Sequence, residues 1–219
     1  MLFRSLTLTG SGQIELNLTL SGGSLIPVLR TTPGLILLPL SGWPSESAPR
    51  ITEAVADAAK RQQAVLLNGN NKSVPQSRLQ SLLRCIENAD CHEPQLSDGL
   101  AAYALSLQLD GEAGSYRLRG ALLDLRTHDF GAKAEQSCAG CDAPRLAKQV
   151  AELTGQLLRE TASRPRTTLT VSSVPAGGRV FVDNRWLGQT PFSHEVFAGS
   201  HAVKVQRDGY TPFEQTLEL

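Results

Sequence analysis

Two close pairs of cysteines, Cys85 with Cys91 and Cys138 with Cys141, are the side chains whose type and spacing come nearest to chemistry. Cys138-Ala139-Gly140-Cys141 has the C-x-x-C spacing of a redox dithiol. The helix that Asp142 would open just behind it places a positive dipole end beside the sulfurs, which favours a thiolate. The same two sulfurs would serve zinc if Cys91 and His92, or Cys85, completed the ligand set. A closed zinc site usually shows two such knuckles, and this chain has one. Asp142 would also oppose a thiolate, and the pair stands late in its domain, after a run of strands rather than after a first strand. An even count in two close pairs fits two local disulfides, 85–91 and 138–141, and so an oxidising compartment. No metal or other cofactor is expected.

The four histidines, His92, His128, His194 and His201, stand in no HExxH, and the chain holds no GxSxG. His128-Asp129 reads as a solvated turn, and His194 and His201 as exposed positions on strand faces. No residue is assigned a catalytic role, and the chain is expected not to be an enzyme.

Binding has two candidate places. Gly69-Asn70-Asn71-Lys72-Ser73 follows a strand and precedes a helix. Loops at that position of parallel sheets meet ligands, and helix N–H groups attract anions. The run lacks the G-x-x-x-x-G-K-[ST] of a phosphate loop and reads first as a polar turn with an N-cap. Asn68, Asn70 and Asn71 are its candidate contacts. The second place is Trp186, just past the Asp183-Asn184 turn and flanked by Arg179 and Arg185. An exposed ring there would stack on a sugar or anchor a partner protein; otherwise it covers a small core.

The elements that must position these residues are legible in the periodicity. The chain has 219 residues, room for one large domain or two small ones, and 41% hydrophobic residues, enough for packed cores. Lys+Arg and Asp+Glu both total 21. That balance argues against a generic nucleic-acid binder, which needs surplus cations to displace counterions from phosphates. No run of eighteen apolar residues occurs, so no transmembrane segment is expected. No signal sequence is evident, because Met1-Leu2-Phe3-Arg4 runs into Ser, Thr and Gly rather than an apolar stretch.

Residues 5–20 alternate as a hairpin around Gly10-Ser11-Gly12, and 1–30 is set apart as a hairpin or leader region. Leu35–Leu40 is a short apolar run, the mark of a strand covered on both faces. Ile51, Ala54, Val55, Ala58 and Ala59 form one helical stripe, and Ala64–Leu67 a second short strand. Such a β–α–β unit makes its strands parallel. Ser73 and Gln76 have capping-box spacing before a helix with Leu79, Leu82, Leu83 and Ile86 on one face. A meander follows: Ala101–Leu109, then 116–122, a turn at Asp129-Phe130-Gly131, and a strand at Ala132–Ser137. The last helix carries Leu146, Val150, Leu153 and Leu157. The α/β domain spans 31–163 and the residues 164–167 read as a linker.

Beyond it the composition changes: Phe181, Trp186, Phe192, Phe197, Tyr210 and Phe213 crowd the final quarter, and no helical stripe occurs. Strand-like runs alternate with turns from Thr168 to Leu219, an all-β domain. Thr168-Leu-Thr-Val-Ser-Ser-Val-Pro-Ala-Gly-Gly-Arg-Val-Phe-Val-Asp183, Gly188-Gln-Thr-Pro191 and Gly199-Ser-His-Ala-Val-Lys-Val-Gln-Arg-Asp-Gly-Tyr210 resemble the PEGA domain. Here the Pro-Glu-Gly-Ala stretch reads Pro175-Ala176-Gly177-Gly178, and the usual Asp-Gly turn is Asp183-Asn184. The resemblance implies a small β-sandwich over 168–219, a binding or structural module appended to bacterial envelope and signalling proteins. The N-terminal order β–α–β–α–β–β–β–α is similar to the α/β domain of TolB-like envelope proteins.

The expected fold class is therefore α+β: a mixed sheet with about three helices, then a PEGA-like sandwich. The expected function is a non-enzymatic protein of the periplasm or outer envelope that binds a protein or a cell-wall polysaccharide. Two alternatives stand beside it, a thiol–disulfide or zinc protein centred on 138–141 and the regulatory part of an envelope signalling assembly.

Overall fold

The computed structural model describes residues 3–6, 15–21, 32–68, 74–87, 101–112 and 115–219. β1 (Phe3–Leu6) and β2 (Glu15–Ser21) pair antiparallel, with Phe3 opposite Thr19 and Leu6 opposite Leu16. This is the hairpin that the alternation predicts; its Gly10-Ser11-Gly12 turn lies outside the described residues.

β3 (Gly34–Leu37) is buried along its whole length. Leu35 and Leu37 face one side and Ile36 and Leu38 the other, each in a separate cluster, which is why the strand reads as an unbroken apolar run. α1 (Ala48–Arg61) buries Ile51, Val55, Ala58 and Ala59, the predicted stripe. β4 (Val65–Leu66) then pairs parallel to β3, Gly34 opposite Val65, as a β–α–β unit requires. α2 (Gln76–Glu87) leads to β5 (Ala101–Glu112), which lies parallel to the other side of β3.

β6 (Ser115–Asp124) and β7 (Asp129–Ala139) complete the meander in antiparallel register. The turn lies at 125–128, earlier than Asp129-Phe130-Gly131. Asp124 accepts the Arg126 N–H at 2.9 Å, His128 takes the left-handed region (φ 55°), and Asp129 already pairs with Asp124. The buried carboxylate, not a glycine, makes this turn. The third strand is accordingly longer than Ala132–Ser137 and carries Cys138 within it.

α3 (Ala143–Ser163) starts at the predicted cap, with Asp142 accepting the Arg145 N–H at 2.9 Å. Leu146, Val150, Leu153 and Leu157 are buried against Leu107, Leu118 and Leu122 of the sheet. Gly120 of β6 lets the helix approach: a Cβ there would sit 2.8 Å from Leu157 Cδ1 and 2.9 Å from Leu153 Cδ2. α1 and α3 cover one face of the sheet β4-β3-β5-β6-β7, while Leu79, Leu82 and Leu83 of α2 cover the other beside β3.

Only Arg164 and Pro165 separate α3 from β8 (Arg166–Val174), so the expected linker of 164–167 shrinks to two residues. β9 (Arg179–Val182), β10 (Arg185–Gln189), β11 (Phe192–Phe197), β12 (Ser200–Gln206) and β13 (Phe213–Glu218) follow. They form two antiparallel sheets, β1-β2-β8-β11 and β10-β9-β12-β13. Leu169, Val171 and Val196 from the first meet Val180, Val182, Val203 and Val205 from the second, with Tyr210 packed against them. Asp183 and Asn184 both take positive φ, 50° and 65°, the geometry of a two-residue hairpin turn. Gly188 and Gln189 close β10. It is Thr190 that ties the neighbouring loop, its hydroxyl accepting the Gly178 N–H at 2.9 Å.

The first hairpin belongs to this sandwich. β2 pairs with β8 from Glu15 opposite Val174 to Ser21 opposite Thr168, adding two strands to one sheet. The overall class is α+β, with three helices, a mixed five-stranded sheet and an all-antiparallel sandwich.

Candidate functional site

An apolar run that ends in a carboxylate builds a fully buried charge. Ala121-Leu122-Leu123-Asp124-Leu125 carries Asp124 into complete burial, 0% exposed. A buried carboxylate needs partners. Arg126 supplies Nη2 at 3.1 Å and Arg166, the first residue of β8, supplies Nη2 at 2.6 Å and Nε at 3.2 Å. Burial by itself would raise the Asp124 pKa. The hydrogen bonds and charge of Arg126, with the charge of Arg166, outweigh it and hold the carboxyl below its usual value.

The arginines of the expected linker are a clasp rather than a tether. Arg164 donates from Nη1 to Phe130 O at 2.8 Å, and its guanidinium lies 3.9 Å from the centroid of the buried Phe197 ring. Arg166 sits 5.2 Å from the same centroid. From the sandwich side, Arg185 Nη1 donates to His128 O at 2.7 Å and lies 3.8 Å from Asp129. The His128 and His194 ring centroids are 4.8 Å apart. These contacts join the α/β domain to the sandwich across a cavity of only about 20 Å³.

A second feature lies on the face of the meander opposite α3. Ser106, Ala121 and Lys133 stand in one cross-strand row, Gln108, Arg119 and Glu135 in the next, and Asp110, Arg117 and Ser137 in the third. Arg119 pairs with Asp110, and Arg117 with Glu135 at 3.2 Å. Over the first two rows, beside Phe130, the surface holds a depression of about 470 Å³. Its charges are mixed, so it suits a polar surface rather than a single anion.

The structure separates the residues singled out by sequence. Asn68 is occupied: its Oδ1 accepts Leu37 N–H at 2.9 Å and its Nδ2 donates to Leu37 O at 2.5 Å, so it closes the end of β3 as a backbone mimic. Asn70, Asn71, Cys91 and His92 lie outside the described residues. Cys85 lies in α2 near its end. Arg185 is committed to the junction, Arg179 lies 3.4 Å from Asp208, and Trp186 is half-buried. Of these three, Arg185 is the one drawn into the junction.

The histidines differ from expectation. His201 is buried, 7% exposed, with Nδ1 2.6 Å from Asp183 and Nε2 2.8 Å from Phe197 O. His194 and His128 are half-buried against one another. None of the three is a solvated turn or strand-face residue. Sequence reading also missed Asp124, Arg164 and Arg166; the one available signal was a carboxylate closing an apolar run.

Cys138 and Cys141 form a disulfide, with Cα atoms 5.7 Å apart. Cys138 is 2% exposed and Cys141 is buried beside the α3 cap. Buried sulfur is poorly placed for exchange. Intact-mass alkylation without reductant is expected to leave both blocked. Cys138→Ala/Cys141→Ala is expected to lower unfolding free energy by about 2 kcal/mol, the effect of so short a loop. Free thiols in protein from an oxidising compartment would contradict the bond.

Comparison with solved structures finds TolB from Acinetobacter baumannii at 11% identity and TM-score 0.39, over 94% of this chain and 50% of that one. The chain thus spans about half the length of that TolB chain. A PelC dodecamer from Paraburkholderia phytofirmans matches at 13% identity and TM-score 0.35, over 69% of this chain and 99% of that one. The LpoB C-terminal domain from Salmonella enterica matches at 15% identity and TM-score 0.29, over 52% and 87%. Scores of this size carry no functional argument. No curated protein matches the chain in sequence. The model of one family matches residues 166–219, which are the residues of β8 to β13 and carry the Pro175–Gly178, Asp183-Asn184 and Gly209-Tyr210 turns. The C-terminal quarter of the chain is a PEGA domain.

Proposed function

We propose that the protein is a non-enzymatic module of the bacterial cell envelope that binds a protein or cell-wall partner through the uncovered face of the meander. The PEGA domain is the observation that carries this reading, because the resemblance implies a binding or structural role in envelope proteins. The Cys138–Cys141 disulfide supports an oxidising compartment such as the periplasm. Among the described residues, Asp124, His128 and His194 are titratable groups with shifted protonation that meet partners across the two domains, where they hold structure together.

A photo-crosslinking residue at exposed Lys133 tests the surface, with Glu152 on the exposed side of α3 as the control position. Crosslinking in intact cells is expected to yield one defined product from position 133 and none from 152. Charge reversal by Arg117→Glu is expected to remove that product without altering the melting temperature. Equal products from both positions, or a hydrolase or transferase activity abolished by a single substitution, would overturn the proposal.

A further inference from the structure

The two domains meet through a pair of imidazoles. His128 projects from the β6–β7 turn and His194 from β11, and their rings are half-buried with centroids 4.8 Å apart. Phe192 stacks on His194, with ring centroids 5.6 Å apart. The charged groups that face the pair come from every neighbouring element. Asp124 and Arg126 come from the end of β6 and its turn, and Asp129 from β7. Arg185 comes from β10 and Glu195 from β11, the Asp183–His201 pair lines the same small cavity as His128, and Arg166 of β8 stands behind them on Asp124. Arg185 and the second ring both act against positive charge on His128, with Asp124 opposing them, while burial is what disfavours charge on His194.

We propose that the His128–His194 contact is an acid-sensitive latch: neutral imidazoles hold the PEGA domain against the α/β domain, and protonation of the pair opens the contact around the Asp124–Arg166 clasp. The direction follows from burial. Desolvation, the neighbouring His194 and Arg185 push His128 down to about 4 against the opposing charge of Asp124. Desolvation also lowers His194, against the Thr127 backbone, Glu195 and Asp124. A released ring returns to its ordinary value of about 6.5. The docked state is therefore fully favoured above about 6.5 and loses ground as pH falls toward about 4. From His128 alone, the loss is close to tenfold per pH unit in that window. Asp124 is held below its usual value, so its bond to Arg166 stays ionised there and serves as the pivot. A periplasm open to external acid would carry such a signal directly to the relative placement of the two domains.

The test uses the whole chain. Ring Cε1 resonances, assigned with His128→Gln and His194→Gln, are followed from pH 7.5 to 4. Hydrogen exchange, corrected for intrinsic rate, is measured over 125–132 and 192–198 in parallel. Both rings are expected to titrate below their ordinary value, and exchange in both segments to accelerate at least tenfold between pH 7 and 5. His128→Gln/His194→Gln is expected to retain protection at pH 7 and to change less than twofold over the same range. Rings that titrate at the ordinary value in the folded chain, or an unchanged acceleration in the double variant, would overturn the latch. Where the double variant fails to fold, the wild-type ring titration decides by itself.

Discussion

Replacing Asp124 by Ala is expected to lower the unfolding free energy by about 3–5 kcal/mol, the usual cost of removing one partner from a buried ion pair. The carboxylate is 0% exposed and accepts from the Arg126 backbone and side chain and from both Nε and Nη2 of Arg166. Its loss strands the guanidinium of Arg166, which is itself mostly buried. Coupling distinguishes this from a simple cavity. Asp124→Leu/Arg166→Met is expected to lose clearly less than the sum of the two single changes, because an apolar pair leaves no orphan charge. The pH dependence has a definite sign. The folded-state pKa of Asp124 is lowered, so its contribution is present above the ordinary carboxyl value and is lost as pH falls through the folded value. Wild-type protein should therefore lose this contribution only below about pH 4, whereas Asp124→Ala should have none to lose. Urea unfolding followed by Trp43 in the first domain and Trp186 in the second checks the location. Coincident transitions in wild type and separated ones in Asp124→Ala would place the carboxylate at the point where the domains cooperate. A change of under about 1 kcal/mol would show that the clasp contributes no more than a surface pair.

Phe197→Ala is the second large effect, about 3–5 kcal/mol for a buried ring. Phe197 is 1% exposed at the end of β11, with the guanidiniums of Arg164 and Arg166 over its ring, and it lines the small cavity together with Val182, Val196 and His201. Truncation opens a void in a junction that holds only about 20 Å³ of free space, and removes the ring face that both cations lie against. Phe197→Leu keeps most of the apolar volume but not the ring face, so it should cost less than half as much. Calorimetry of the two variants separates packing from cation–ring attraction. Equal losses would assign the effect to the ring face, and a loss confined to Ala would assign it to volume. Unlike Asp124→Ala, neither variant should shift the acid limb of the stability curve.

Much of the framework is legible in the order of the residues, and the legible parts share a cause. The α1 stripe at Ile51, Val55, Ala58 and Ala59, the Asp142 cap, the buried run at Leu35–Leu38 and the Asp183-Asn184 turn are each settled within a few residues. Side-chain period, a capping oxygen and tolerance of positive φ act locally, so local sequence suffices. The parallel pairing of β3 with β4 and the PEGA turns follow in the same way. The Asp124 turn escapes such reading because its cause is a carboxylate taken inside, and burial depends on what arrives to cover it.

The remainder depends on which surfaces meet. Nothing in Glu15–Ser21 names Arg166–Val174 as the strand it joins, because main-chain hydrogen bonds are alike in every strand and register is chosen by packing across the sheet. Arg164 and Arg166 look like solvated linker residues in isolation. They become a clasp only because α3 ends where Asp124 and Phe197 lie. His128 and His194 likewise owe their burial to a contact between two domains, and His201 owes its own to Asp183 and Phe197. Residue order thus specifies the elements, their faces and the C-terminal family. Tertiary contact selects the strand that crosses from one end of the chain to the other, the charges that lose their water and the surface left open, because those depend on distant residues sharing the same water-excluded space.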